Sequence, residues 1–177
     1  MSGQWLDYDK VNKFLFNIYL KTRGQDIGFL RKTLVGNDWL ITDGYIGFRV
    51  PDDKLIFRPS LFANADAKIA RVLDDSFTVN PVSQKLHWTP KCLMKNGNNK
   101  VQRFYVAEDK SFAVLVGEEL FNRVNNLDVL VPYATGQISA VQLADQYNGK
   151  VHAIILPCRF DENDAAAILP DKRGIVI

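Results

Sequence analysis

Side chains that carry metal and redox chemistry are scarce in this sequence. There are two cysteines, Cys92 and Cys158, and two histidines, His87 and His152. Two cysteines cannot build the multi-bridge framework of a small secreted domain, so two reduced thiols in a cytosolic protein are expected. None of the four residues stands in a CxxC or HxxxH spacing, and neither a metal nor a cofactor is expected. Long apolar runs are missing too. The runs at 112–116 and 153–157 are far too short to cross a bilayer, so no membrane partner is expected. The opening MSGQWLDYDK lacks the basic-then-apolar order of a secretory signal, which fits a cytoplasmic location. An excess of one charge is also absent. The net charge is +2, so any nucleic-acid contact has to come from a local patch.

Catalytic motifs are lacking as well. There is no Walker loop, dinucleotide fingerprint, HExxH or Gly-x-Ser-x-Gly elbow. Asp43 precedes Gly44, where an aspartate normally bonds its own backbone. Asp52-Asp53 and Asp74-Asp75 read as solvated charges of turns or helix ends. The expectation is a protein that is not an enzyme.

What is present is apolar and aromatic material. Of 177 residues, 47% are hydrophobic, with 11 Phe, 6 Tyr and 3 Trp, enough to fill the core of one ordinary domain spanning 1–177. Val11, Phe14, Leu15, Ile18 and Tyr19 recur at helical spacing and predict an amphipathic helix over 8–22. Asp7 or Asp9 is placed to cap it. Lys10, Lys13, Asn17 and Lys21 share the opposite face, with Arg23 beyond its end.

Strands are predicted at 28–35 and 39–50 around a turn at Gly36-Asn37-Asp38, with a bulge or bend at Thr42-Asp43-Gly44. A short strand is read at 54–58, a helix at 61–73 and a hairpin around Asn80-Pro81 within 77–88. KNGNNK at 95–100 is an exposed loop. Strands at 102–106 and 111–116 flank a turn at 108–110. A second helix is read at 117–127, with Leu120, Phe121, Val124 and Leu127 on its apolar face. Three strands follow at 129–133, 138–143 and 151–156, with Asn148-Gly149 as a hairpin signal. The end of the chain, from 161 to 177, begins acidic and finishes apolar. No internal repeat or low-complexity tract is evident.

The segment VLVGEELFNRVNNLDVLVPYATGQISAVQLADQYNGKVHAIILPCRF resembles the last part of the sliding-clamp family of the bacterial DNA polymerase III beta subunit. That family shows a strand entering a short helix, then hairpin strands, then a last strand ending in a Met-Pro-x-Arg-like sequence, here Leu156-Pro157-Cys158-Arg159. Upstream, Leu40-Ile41-Thr42-Asp43-Gly44-Tyr45 resembles the family's Ala-Thr-Asp-Gly-Tyr/His strand. The matched parts are about 8–50 and 103–160. Residues from about 52 to 100 match nothing in the family and form an insertion, and the tail from 161 is an addition.

The resemblance implies an α+β, DNA-clamp-like domain: two helices packed on a largely antiparallel sheet. It implies a non-enzymatic accessory protein, of a phage or mobile element, that binds duplex DNA or a replication protein as a processivity factor does. Family members carry several such domains per subunit and close into a ring. This chain has room for one, so a ring requires a homo-oligomer. By the resemblance, helices face the DNA. Lys10, Lys13, Lys21 and Arg23 are then the first candidates for phosphate contacts, with Arg123 on the second helix, although such a stripe is ordinarily a solvated face. Leu156, Pro157 and Arg159 fall where the family has a partner-peptide groove. The alternative is a protein-binding inhibitor or decoy that acts on a host nuclease, a defence protein or a clamp partner without encircling DNA.

Two further groups stand outside the resemblance. Lys85, Lys91, Lys95, Lys100 and Arg103 with Trp88 combine cations and an aromatic, as single-strand binders do. An ordinary charged loop is the plainer account, and the sequence favours it. The apolar end of the chain could add a strand to a neighbouring sheet or pack on its own domain.

Overall fold

Asp7 opens the first helix, α1 (Tyr8–Thr22). Its carboxylate accepts the Lys10 amide at 3.1 Å and its carbonyl accepts the Val11 amide at 3.0 Å. These bonds satisfy donors that every helix start leaves open. Val11 and Leu15 are buried, and Phe14, Ile18 and Tyr19 half-buried, which is the stripe the spacing predicts. The computed structural model describes residues 6–22, 30–94, 101–120 and 130–160. Arg23, Arg123, the loop at 95–100 and the end of the chain from 161 lie outside the described residues.

β1 (Arg31–Val35), β2 (Asp38–Thr42) and β3 (Ile46–Pro51) form an antiparallel meander. The single strand expected over 39–50 is therefore two. Asp43 is the cause. Its carboxylate accepts the Tyr45 and Ile46 amides at 2.8 and 2.9 Å, and Gly44 takes φ +93°, so the chain reverses instead of bulging. The inward alternation of Ile41, Ile46, Phe48 and Val50 continues on both sides of the turn, which is why the sequence reads as continuous.

The middle of the chain departs furthest from expectation. The strand expected at 54–58 does not form: residues 52–54 make a 3-10 turn and 55–58 are neither helix nor strand. β4 (Ala63–Asn64) lies parallel to β1. The helix expected at 61–73 is α2 (Ala67–Ser76), set later because Asp66 caps it by accepting the Ile69 amide at 2.8 Å. Asn80-Pro81 makes no hairpin. The Asn80 side chain accepts the Val82 amide at 3.0 Å and turns the chain into the long β5 (Gln84–Met94).

β6 (Val101–Ala107) and β7 (Ala113–Gly117) follow, then a helical turn beginning at Glu118. The remaining strands are β8 (Leu130–Ala134), β9 (Val141–Asp145) and β10 (Val151–Ile155). β9 starts later than expected because the Ser139 hydroxyl accepts the Thr135 and Gly136 amides, both at 3.0 Å, and holds that stretch as a turn.

Among the described residues the strands form one ten-stranded, largely antiparallel sheet in the order β4-β1-β2-β3-β10-β9-β8-β5-β6-β7. The chain is thus mixed α+β. Two three-strand units result: β1-β2-β3 after α1, and β8-β9-β10 after the helical turn at Glu118, while residues 121–127 of the helix read at 117–127 lie outside the described residues. The third strands of the two units pair antiparallel, with Phe48 opposite Ala153. β3 and β10 approach so closely that a Cβ on Gly47 would come within 2.8 Å of the Ile154 side chain.

Both faces of the sheet are covered. Val11 and Leu15 of α1 share a buried cluster with Phe48, Val50, Val141, Leu143, Ala153 and Ile155, and Leu120 packs on the same cluster. On the opposite face, Leu73 and Phe77 pack against Leu40, Ala144, Val151 and Ile154. Arg49 fastens this second layer: its guanidinium donates to the Val151 and Phe77 carbonyls at 2.9 and 3.2 Å and lies 3.4 Å from Asp38.

The sheet also curls. The Cys158 amide donates to the Leu115 carbonyl of β7 at 2.7 Å, three residues beyond the end of β10. Three residues reach at most about 10 Å. The outer side of β7 therefore returns close to β10, with four strands between them in the sheet.

Candidate functional site

The outward face of α1 carries the expected stripe. Lys10, Lys13, Asn17 and Lys21 are all exposed. Lys10 lies 3.5 Å from Asp7, an exposed pair that leaves its charge largely available. Among the described residues Lys13 and Lys21 form no ion pair. Arg23 and Arg123 lie outside the described residues, so three of the five expected phosphate contacts are brought onto one stripe.

The same face holds two apolar residues the sequence reading passed over, Phe16 (41% exposed) and Leu20 (39%). Phe16 stacks on Phe57 with centroids 5.7 Å apart. Their signal was visible as apolar letters off the buried stripe, but stripe-matching discards such positions.

A buried amide fixes how α1 sits. The Asn12 side chain donates to the Tyr8 and Lys54 carbonyls at 2.8 and 2.9 Å and accepts the Ile56 amide at 3.2 Å. The last two bonds tie the 54–56 segment along the helix. Asn12→Ala would leave the Lys54 carbonyl and the Ile56 amide without these partners. Its expected cost is about 1–3 kcal/mol, read as a lower urea midpoint.

The helical turn at Glu118 is anchored by Arg103, whose guanidinium donates to the Glu118 carboxylate at 2.7 Å and to the Thr89 carbonyl at 3.3 Å. Arg103 also lies 4.9 Å from the centroid of the Trp88 ring. The second basic group is thus not a loop cluster: Trp88 and Arg103 stand on paired strands. Strand alternation turns Lys85 to the face opposite Leu86 and Trp88. Lys95 and Lys100 lie outside the described residues. Burial pushes the Tyr105 phenol, opposite Trp88 in the register, up to about 12.

The two motifs that carry the clamp resemblance meet in space. The Leu156 amide donates to the Tyr45 carbonyl at 2.8 Å, so the chain leaving β10 runs against the Asp43-Gly44-Tyr45 turn. Leu156 and Arg159 are exposed and Pro157 is half-buried. Phe160, beyond them, is buried edge-to-face on Phe104 at 5.0 Å. Leu156, Pro157 and Arg159 therefore sit on a strap fixed at both ends.

The histidines and cysteines are dispersed. His87 is exposed, 3.8 Å from Glu108, and Cys158 accepts from the Gln102 amide at 3.3 Å. No three His, Cys, Asp or Glu side chains gather as a metal-binding group among the described residues. Among them, too, no helix is long and apolar enough to cross a membrane.

His152 is buried in β10, and burial, with Lys150 second, lowers its pKa from 6.5 to about 4. Asp145 and Asp38 act weakly in the opposite direction, and Arg49 adds to the lowering. The folded chain thus refuses a proton that the unfolded chain accepts. The stabilisation is fully present above about pH 6.5, falls as pH drops, and is gone below about pH 4, a loss of roughly 3 kcal/mol at most. Urea midpoints measured across that window should fall more steeply for the native chain than for His152→Gln.

No family model matches this chain, and searches of curated proteins and of solved structures returned no match.

Proposed function

We propose that this chain is a non-enzymatic, clamp-like accessory protein whose α1-bearing face contacts the phosphates of duplex DNA. The observation that carries this is the exposed lysine stripe of Lys10, Lys13 and Lys21 on a helix whose other side is packed against strands from both ends of the chain. Cations displayed on such a rigid support attract phosphates without reading base sequence. Two further features favour a clamp-like domain. The order is helix, strands, a helical turn at Glu118 and a three-strand meander, and the Thr42–Tyr45 and Leu156–Arg159 segments lie together. Encirclement would require several copies of the chain. The strap at Leu156, Pro157 and Arg159 is the candidate docking edge for a replication protein.

The test is a titration of a labelled duplex with the native chain and with Lys10→Glu/Lys13→Glu/Lys21→Glu, alongside light scattering. Salt-sensitive binding that the triple variant loses supports the DNA interface, and a closed multimer supports encirclement. Equal binding by both proteins removes the α1 interface.

A second reading, a protein-binding inhibitor or decoy, is favoured by Phe16 and Leu20. Apolar groups inside a cationic stripe suit a protein surface better than a phosphate backbone. A monomer with no duplex affinity is the outcome that selects it.

A further inference from the structure

Phe16 and Leu20 stand one turn apart on α1, off its buried stripe and open to solvent. The Phe16 ring stacks on Tyr19, with centroids 6.4 Å apart and 28° between the planes, and on Phe57 at 5.7 Å and 17°. Phe57 in turn meets the buried Phe62 edge-to-face at 6.0 Å. The rings of α1 and of the 57–62 segment therefore join into one apolar surface that runs from the core out to water. It is held in place from below, because Asn12 ties the 54–56 segment to α1.

Cations border this surface on both sides. Residues three and four apart are neighbours on a helix, so Lys13 adjoins Phe16, and the stripe of Lys10, Lys13 and Lys21 runs along one edge. On the other side stands Arg58, exposed and next to Phe57 in the chain. Among the described residues, Lys13, Lys21 and Arg58 form no ion pair. Asp9, one turn before Lys13, is the only acid in α1.

The charge decides what fits. A duplex would take the lysines and leave Phe16 and Leu20 in water. A second copy would set like charge against like charge in either orientation, since both edges are cationic. A bilayer takes side chains that project into it, whereas the Phe16 ring lies flat on its neighbours. A segment with carboxylates beside apolar groups satisfies both halves at once: its apolar groups cover the rings and its acids meet the lysines. From Lys10 to Lys21 the helix runs about 16 Å, which matches about three turns of a docked amphipathic helix.

We propose that the Phe16–Leu20 surface is the docking site of an acidic, amphipathic helical segment of a partner protein. This rests on the α1 face being an interface and names the partner chemistry of its protein-binding form. Peptide and duplex share the lysines and therefore compete, while the apolar seat serves the peptide alone.

The test uses the full chain and two labelled peptides of about four turns, read by anisotropy at about 50 mM salt. One carries Leu at i, i+3, i+4 and i+7 with Glu on its other faces; the second has the same composition in scrambled order. The first should bind and the second should bind at least about 10-fold more weakly, because only the first presents both faces together. Phe16→Ser/Leu20→Ser is expected to weaken peptide binding at least about 10-fold, as truncated interface anchors do. Leu20→Glu, which breaks no ring contact, should do the same, with circular dichroism showing both variants folded. Unlabelled peptide should displace a labelled duplex from the native chain. Lys10→Glu/Lys13→Glu/Lys21→Glu should lose both ligands, whereas Phe16→Ser/Leu20→Ser should lose only the peptide, so the two readings of α1 fail separately. A native chain that binds the peptide and no duplex supports this site and removes the duplex interface. No binding of the amphipathic peptide, equal affinity for the two peptides, unchanged affinity in Leu20→Glu, or binding of phosphatidylserine vesicles in place of the peptide overturns the proposal.

Discussion

Phe48→Ala is expected to destabilise the fold by about 3–5 kcal/mol, the usual cost of deleting a buried aromatic ring. Phe48 is 1% exposed. It sits in β3, opposite Ala153 of β10 on one side and Ile41 of β2 on the other. Its ring meets Phe14 of α1 edge-to-face, with centroids 5.8 Å apart. One side chain therefore lies where the two three-strand units join and where the first helix is seated. A domain of ordinary stability holds about 5–15 kcal/mol in all, so the loss takes a large fraction of it. Urea unfolding should show a much lower midpoint with an unchanged slope. Leu156→Ala, at an exposed position, should shift stability by no more than about 0.5 kcal/mol. A loss below about 1 kcal/mol for Phe48→Ala would mean that α1 does not rest on this seam.

The largest functional effect is expected from reversing the lysine stripe. A unit charge about 4 Å from a phosphate in water contributes roughly 1 kcal/mol, a factor of about five in affinity. Losing three such contacts weakens duplex binding on the order of 100-fold, and the introduced glutamates add repulsion. Lys10→Glu/Lys13→Glu/Lys21→Glu should thus show no measurable binding at concentrations where the native chain saturates. The fold should persist, because all three side chains are exposed and the pair of Lys10 with Asp7 is a surface one. Circular dichroism checks this. Phe16→Ser/Leu20→Ser, on the same face, should leave duplex binding within a few-fold of native if phosphates are the ligand.

Periodicity and turn chemistry made much of this fold legible. α1 stands where Val11, Leu15 and Ile18 put it, and the closing strands β8, β9 and β10 fall between turn residues that announce them. Legibility failed where a side chain overrules the local pattern. Asp43 reverses the chain inside an unbroken alternation of apolar residues, and Asp66 fixes the start of α2 several residues after the apolar spacing begins. β4 is set by its parallel partner β1, which no local pattern encodes.

The lysine stripe was visible because helical spacing is itself a map of faces. The meeting of Leu156 with Tyr45, and of Trp88 with Arg103 and Glu118, was not. These contacts depend on strand register and on the curl of the sheet, and both are settled by pairing between distant segments. Phe16 and Leu20 were readable as letters, but their exposure follows from how Asn12 rotates α1 against the 54–56 segment.

The most direct measurement is the affinity of the native chain for a labelled duplex as a function of salt. Three phosphate contacts give a log–log slope of about −2.7, so raising salt from about 50 to about 200 mM should weaken binding roughly 40-fold. Binding that ignores salt, or no duplex binding at about 50 mM salt, would contradict a cationic, α1-centred interface.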